Sequence, residues 1–168
     1  MATTYTLIAS STVESGGAAN IEFTSIPATY TDLSIYLSVR SSTTAELYAQ
    51  VNNSTSTIYR NRSIQGTGSS VSAATYQTAK YFLGEANWNT FTASTFSSQS
   101  LYLPDYAGSK NKSLLVDSVT ENNATLAYMY LIGGLWSNTD AVTSIKFTIS
   151  SGTFDQYSTA YLYGIKNS

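Results

Sequence analysis

The chain has 168 residues, a formal net charge of −2, only 11% charged residues, and neither His nor Cys. Without those two residue types there is no Ser-His-Asp triad, no cysteine nucleophile, no disulfide framework and no ordinary zinc, haem or iron–sulfur site. Eight scattered Lys and Arg against ten Asp and Glu argue against nucleic-acid binding through phosphate neutralisation.

A period of two runs through the chain from its start. Tyr5, Leu7 and Ala9 alternate with Thr4, Thr6 and Ile8, and Ile21 and Phe23 alternate with Asn20 and Glu22. The clearest strand is 32–40: Leu33, Ile35, Leu37 and Val39 point one way, and Ser34, Tyr36 and Ser38 the other. Leu47, Ala49 and Val51 repeat the pattern. Further strands are predicted over 58–64, 75–83, 96–103, 113–119 and 125–135. Ile145, Phe147 and Ile149 form another, and Ala160, Leu162 and Gly164 alternate with Tyr161 and Tyr163 in the last. Turn chemistry separates these runs: Gly16-Gly17, Pro27, Asn52-Asn53, Pro104-Asp105, Asn122-Asn123, Asn138 and Gly152. The stretch 65–73, rich in Gly and Ser, reads as a long loop. Gly133-Gly134 reads as a β-bulge or a point of close backbone approach.

No window holds apolar residues at helical spacing for long enough to form a helix. Roughly ten or eleven strands of ordinary length with frequent turns predict an all-β fold. The expected architecture is an antiparallel two-sheet sandwich, jelly-roll-like, as a single domain over 1–168. No repeat or linker divides the chain. The longest apolar run, 126–136, is about half a membrane span, and no export signal is visible at the start, so neither membrane insertion nor secretion is expected.

Ser and Thr make up 27 and 24 residues, and there are 14 Tyr. Outward strand positions therefore carry hydroxyls and phenol rings where Lys and Glu normally provide solubility. Such a surface suits contact with another molecule, because Tyr supplies contact area at low entropic cost. Tyr36, Tyr106 and Tyr161 are candidate contact residues. Trp88, in the polar stretch 85–89, is a candidate loop-borne platform for a sugar, while Trp136 ends an apolar strand and belongs to the core.

Chemistry is thin. Asp117 and Glu121 share a strand face but lie about 13 Å apart at strand rise, too far for a glycosidase pair, and read as solvated carboxylates. Asp105, Asp140 and Asp155 sit in predicted loops and could join a carboxylate pair across space. No calcium-loop motif is present, and no catalytic residue, cofactor site or metal site is assigned.

Five segments taken together resemble a known group. They are Tyr5-Thr6-Leu7-Ile8-Ala9-Ser10; Ile26-Pro27-Ala28-Thr29-Tyr30-Thr31-Asp32-Leu33; Leu103-Pro104-Asp105-Tyr106-Ala107-Gly108 with Asn111-Lys112-Ser113; Ser118-Val119-Thr120-Glu121-Asn122-Asn123-Ala124-Thr125; and Leu162-Tyr163-Gly164-Ile165. In this order, over nearly the whole chain, they resemble small β-sandwich proteins encoded among the virion genes of tailed bacteriophages. The resemblance implies a non-enzymatic virion component, made in the bacterial host cytoplasm and displayed in many copies. The leading expectation is a capsid decoration or cement protein that docks on the major capsid protein or another virion protein as a homo-oligomer. Alternatives are a tail-fibre or receptor-binding module for a host glycan, a free carbohydrate-binding module, and, least of all, a small glycosidase.

Overall fold

Side chains that alternate apolar and polar build strands with one dry face, and such strands are stable only when two sheets close on each other. The computed structural model, which describes residues 4–123 and 126–166, realises that arrangement. Its strands are β1 (Tyr5–Thr12), β2 (Asn20–Phe23), β3 (Asp32–Ser41), β4 (Glu46–Val51), β5 (Tyr59–Gly66), β6 (Val71–Thr78), β7 (Tyr81–Glu85), β8 (Asn87–Trp88), β9 (Ser97–Leu103), β10 (Lys112–Val119), β11 (Met129–Trp136), β12 (Ile145–Ile149) and β13 (Thr159–Ile165). There is no helix among the described residues, and so none long and apolar enough to cross a membrane.

The larger sheet has nine strands in the order β1-β13-β3-β9-β10-β11-β5-β6, with β8 beside β3. The smaller has four, β2-β12-β4-β7. The short β3–β8 pair is parallel; the ladders along both main sheet orders are antiparallel. The two ends of the chain wind together, β1 on β13 and β2 on β12, and the chain crosses repeatedly between sheets. This is the expected antiparallel two-sheet sandwich, with thirteen strands among the described residues where the sequence predicts roughly ten or eleven.

The core lies between the sheets. Leu33, Ile35, Leu37 and Val39 of β3 are buried, and they face Leu47, Ala49 and Val51 of β4 with Ile145 and Phe147 of β12. Leu114, Val116, Ile132, Trp136 and Leu162 complete the inner face of the large sheet. Tyr59 links the layers: its hydroxyl accepts the Val51 N–H at 3.0 Å and donates to the Val51 carbonyl at 3.3 Å.

Four local expectations are corrected. The strand expected over 75–83 is two strands in different sheets, and buried Asn61 holds the crossover between them. Its amide nitrogen donates to the Lys80 carbonyl at 3.1 Å, and its oxygen accepts the Phe82 N–H at 3.0 Å. The stretch 65–73 is not a long loop. It forms the β5–β6 hairpin, closed by the Thr67 N–H bonding the Ser70 carbonyl at 3.0 Å. The strand expected from 125 begins at Met129, and residues 124–125 lie outside the described residues. Gly133-Gly134 does not bulge, because the β10–β11 register runs unbroken through it. Close approach is the reason for Gly134: a Cβ there would stand 2.6 Å from the Tyr81 ring.

Loop 104–111 is organised around Lys112, a buried residue at the start of β10. Its ammonium donates to the carbonyls of Gly108 at 2.6 Å and Thr139 at 3.4 Å, and to that of Lys110. Burial pushes its pKa below the ordinary lysine value, while Asp105 and Asp140 oppose that shift.

Candidate functional site

Among the described residues no second layer covers the outer face of the large sheet, and the cross-strand register places its residues in rows. One row runs Ala73, Ile64, Leu131, Asp117, Ser100, Tyr36, Tyr161 and Ser10. The next runs Thr75, Arg62, Gly133, Leu115, Tyr102, Ser34, Tyr163 and Leu7. A third contains Val71, Gly66, Met129, Val119, Ser98, Ser38, Thr159 and Thr12. Arg62 and Asp117 are the only charged residues in these rows.

Two apolar lobes result. On β5, β6, β10 and β11 stand Ile64, Val71, Leu115, Met129 and Leu131, with Met129 66% exposed. On β1, β3, β9 and β13 stand Tyr5, Leu7, Tyr36, Tyr102 and Tyr161, all exposed. Half-buried Tyr163 binds the second lobe together by edge-on ring contacts at 6.4 Å with Tyr5 and 6.0 Å with Tyr36. Asp117 and Ser100 separate the lobes in the first row, whereas Leu115 and Tyr102 meet directly in the second. Gly133 leaves a depression in the aliphatic lobe, a groove of about 520 Å³ edged by Arg62, Ile64, Ala73, Leu115 and Leu131. Most of the large apolar side chains exposed among the described residues lie on this face. An exposed apolar face of this extent is the candidate interaction surface of the described chain.

The edges of the same sheet are unguarded. Neither β1 nor β6 carries a charged residue or a proline, the usual protections against pairing with another chain. β6 is largely exposed on both sides because it overhangs the smaller sheet. A register shift between Leu7 and Ala9 is the one irregularity of the β1 ladder.

The four candidate contact residues separate into two pairs. Tyr36 and Tyr161 stand directly opposite each other on the outer face, both exposed. Trp88 and Tyr106 are buried, which corrects the expectation that they line a surface. The Trp88 indole donates to the Thr90 hydroxyl at 2.7 Å, and its ring lies against Phe91 with centroids 3.8 Å apart. It closes the end of the sandwich instead of presenting a sugar platform. Tyr106 donates its hydroxyl to the Pro27 carbonyl and accepts the Tyr30 N–H at 3.4 Å, so it clamps the turn before β3 from inside. Burial pushes its pKa up.

The carboxylates do not assemble into a catalytic pair. Asp117 stands on the outer face beside Ser100 and Leu131. Glu121 caps the following turn by accepting the N–H groups of Asn122 at 2.8 Å and Asn123 at 3.0 Å. Asp105 pairs with Lys110 at 3.8 Å, and Asp155 with Arg40 at 3.5 Å. Asp140 has its own N–H held by the Asn138 side chain at 2.8 Å. Glu85 is half-buried, accepts the Tyr130 hydroxyl at 2.9 Å, and has its pKa pushed up by burial. No group of three or more Asp or Glu converges as a metal site among the described residues.

No protein-family model matches the chain, and no curated protein matches it.

Proposed function

We propose that this chain is a non-enzymatic structural protein of a tailed-phage virion that docks, in many copies, through the outer face of its nine-stranded sheet. The observation that carries the reading is the two-lobed apolar face with an uncharged strand at each end. The docking partner is the major capsid protein or another protein of the particle. Apolar burial drives the contact, and the groove over Gly133 receives a protruding side chain of that partner. Copies associate through the β1 and β6 edges into a closed ring, which removes both exposed ladders at once. A single copy then needs only modest contact area, because linked copies raise one another's effective concentration at the shell. Capsid decoration is favoured over a fibre role by the breadth of the face, which crosses eight paired strands. The phage assignment rests on the segment resemblance in the sequence.

The test is light scattering on the isolated protein, followed by co-sedimentation with purified shells of its virus. A symmetric oligomer that sediments with shells and raises their melting temperature is the expected result. The double variant Leu115→Asp, Leu131→Asp should stay folded and lose shell binding. A monomer that ignores shells overturns the proposal, and an oligomer that ignores them moves the protein to the tail or a fibre.

A further inference from the structure

A second surface lies at one end of the sandwich, where the outer sheet face gives way to loops beyond Ser38 and Ser98. Its pocket of about 510 Å³ is lined by residues of the β1–β2, β8–β9 and β12–β13 loops and by Arg40 at the end of β3. That volume is within the range of small-ligand sites, roughly 300–1,000 Å³.

Arg40 organises the pocket. Its guanidinium donates to the carbonyls of Thr92 at 3.1 Å, Thr95 at 2.8 Å and Phe91 at 3.2 Å, and it pairs with Asp155 at 3.5 Å. The walls are therefore set before any ligand arrives. Arg40 and Asp155 also cancel each other's charge, so the pocket favours a neutral guest. The remaining Asp155 oxygen and the Gln156 amide, which has no hydrogen-bond partner within the described chain, are presented at the wall. Gly16 lies on the open rim at φ +98°, with nothing within 4 Å of where a Cβ would stand.

Tyr157 carries the exposed ring beside the pocket. Its φ is +70°, in the left-handed region that costs a bulky residue energy and suits glycine. Its N–H donates to the Val13 carbonyl at 2.9 Å, and the Val13 N–H returns to the Ser158 carbonyl at 2.8 Å, so the backbone is locked there. The ring gains no packing in exchange, for it is 67% exposed beside the pocket. The turn Asp155–Ser158, closed by the Ser158 N–H on the Asp155 carbonyl at 3.1 Å, accounts for that φ but makes no use of the ring, which is left free to meet a ligand.

We infer that this pocket binds a neutral saccharide, with the Tyr157 ring stacked on the apolar face of a pyranose. Asp155 and Gln156 bond its hydroxyls, the carboxylate as acceptor and the amide as both donor and acceptor. An exposed ring beside convergent polar groups on a charge-balanced wall matches the mixed apolar and hydroxyl surface of a sugar. The inference does not depend on the sheet-face docking.

The experiment is saturation-transfer NMR and titration calorimetry with glucose, galactose, mannose, N-acetylglucosamine and their short oligomers. At least one should receive saturation from the Tyr157 ring protons. Tyr157→Gly should weaken that binding by about tenfold or more while leaving the melting temperature unchanged or higher, because the strain is relieved. Gln156→Ala should weaken it less. Leu115→Asp, Leu131→Asp should bind the sugar as the parent does, which separates this site from the docking face. The inference is overturned if no sugar of the panel receives saturation, if Tyr157→Gly binds as tightly as the parent, or if Tyr157→Gly melts markedly lower, which would make the ring structural.

Discussion

The two faces of the nine-stranded sheet use similar side chains to different ends. On the inner face, Leu114, Val116 and Ile132 are sealed against the smaller sheet. On the outer face of the same strands, Leu115 and Leu131 stand half in water. Each fully buried apolar side chain of this size contributes about 1.5–3 kcal/mol to folding. The outer ones contribute little to the isolated chain; in the function proposed above, that free energy is realised on association. The contrast teaches that hydrophobicity at a strand position does not say which process uses it. A second layer of four strands beneath nine covers one face only.

Substitutions at matched positions on β11 break this contrast most sharply. Ile132→Ala should cost about 2–5 kcal/mol, measured by urea unfolding, because the inner face cannot close over the lost atoms. Gly134→Ala should cost about 1–3 kcal/mol, since the new methyl meets the Tyr81 ring. Tyr106→Phe should cost about 1–2 kcal/mol by the same assay, because the Pro27 carbonyl loses its buried donor. Leu131→Asp, on the outer face, should stay within about 0.5 kcal/mol of the parent. Its effect appears in the light-scattering and shell-binding measurements instead. If Leu131→Asp destabilises the monomer as much as Ile132→Ala does, the two faces are not distinct.

The smallest effect is a pH dependence at the inner rim. Glu85 has a folded pKa raised above its ordinary value of 4.5 by burial, with the Tyr130 hydrogen bond opposing and the Glu46 charge adding. A carboxyl raised in the folded state stabilises the fold most when protonated. Its contribution is greatest below the unfolded pKa and is lost as pH rises through the folded value. Chemical denaturation from pH 4 upward should show that decline, and Glu85→Gln should flatten it.

Much of the inner face is legible in the sequence, and the outer face is not, for a physical reason. In β3 a single apolar parity, Leu33 to Val39, marks the buried side, and Tyr36 is correctly placed outward. The same holds for Tyr161 in β13. In 114–116 and 131–132 both parities are apolar, so a period of two carries no phase and cannot tell Leu115 from Leu114. Composition misleads in the β5–β6 hairpin, where Ser, Ala and Gly resemble a loop. They form a strand because an overhanging strand needs its ladder and not a dry face. Polar neighbours likewise made Trp88 and Tyr106 look exposed, yet those loops fold inward and satisfy the indole and the phenol internally. The Arg40–Asp155 pocket joins loops distant in sequence, so no local pattern announces it.

The buried ammonium of Lys112 has one more consequence. Three carbonyl oxygens around a positive centre make the kind of shell that proteins build for free metal ions. In this loop the ion is a permanent part of the chain, so its local concentration is fixed by a four-carbon tether and not by the medium. Dialysis cannot dilute it, a chelator cannot strip it, and no competing ion displaces it by mass action. The loop's shape is thereby uncoupled from the ionic make-up of its surroundings, and what remains able to release it is a reagent that neutralises this one amine.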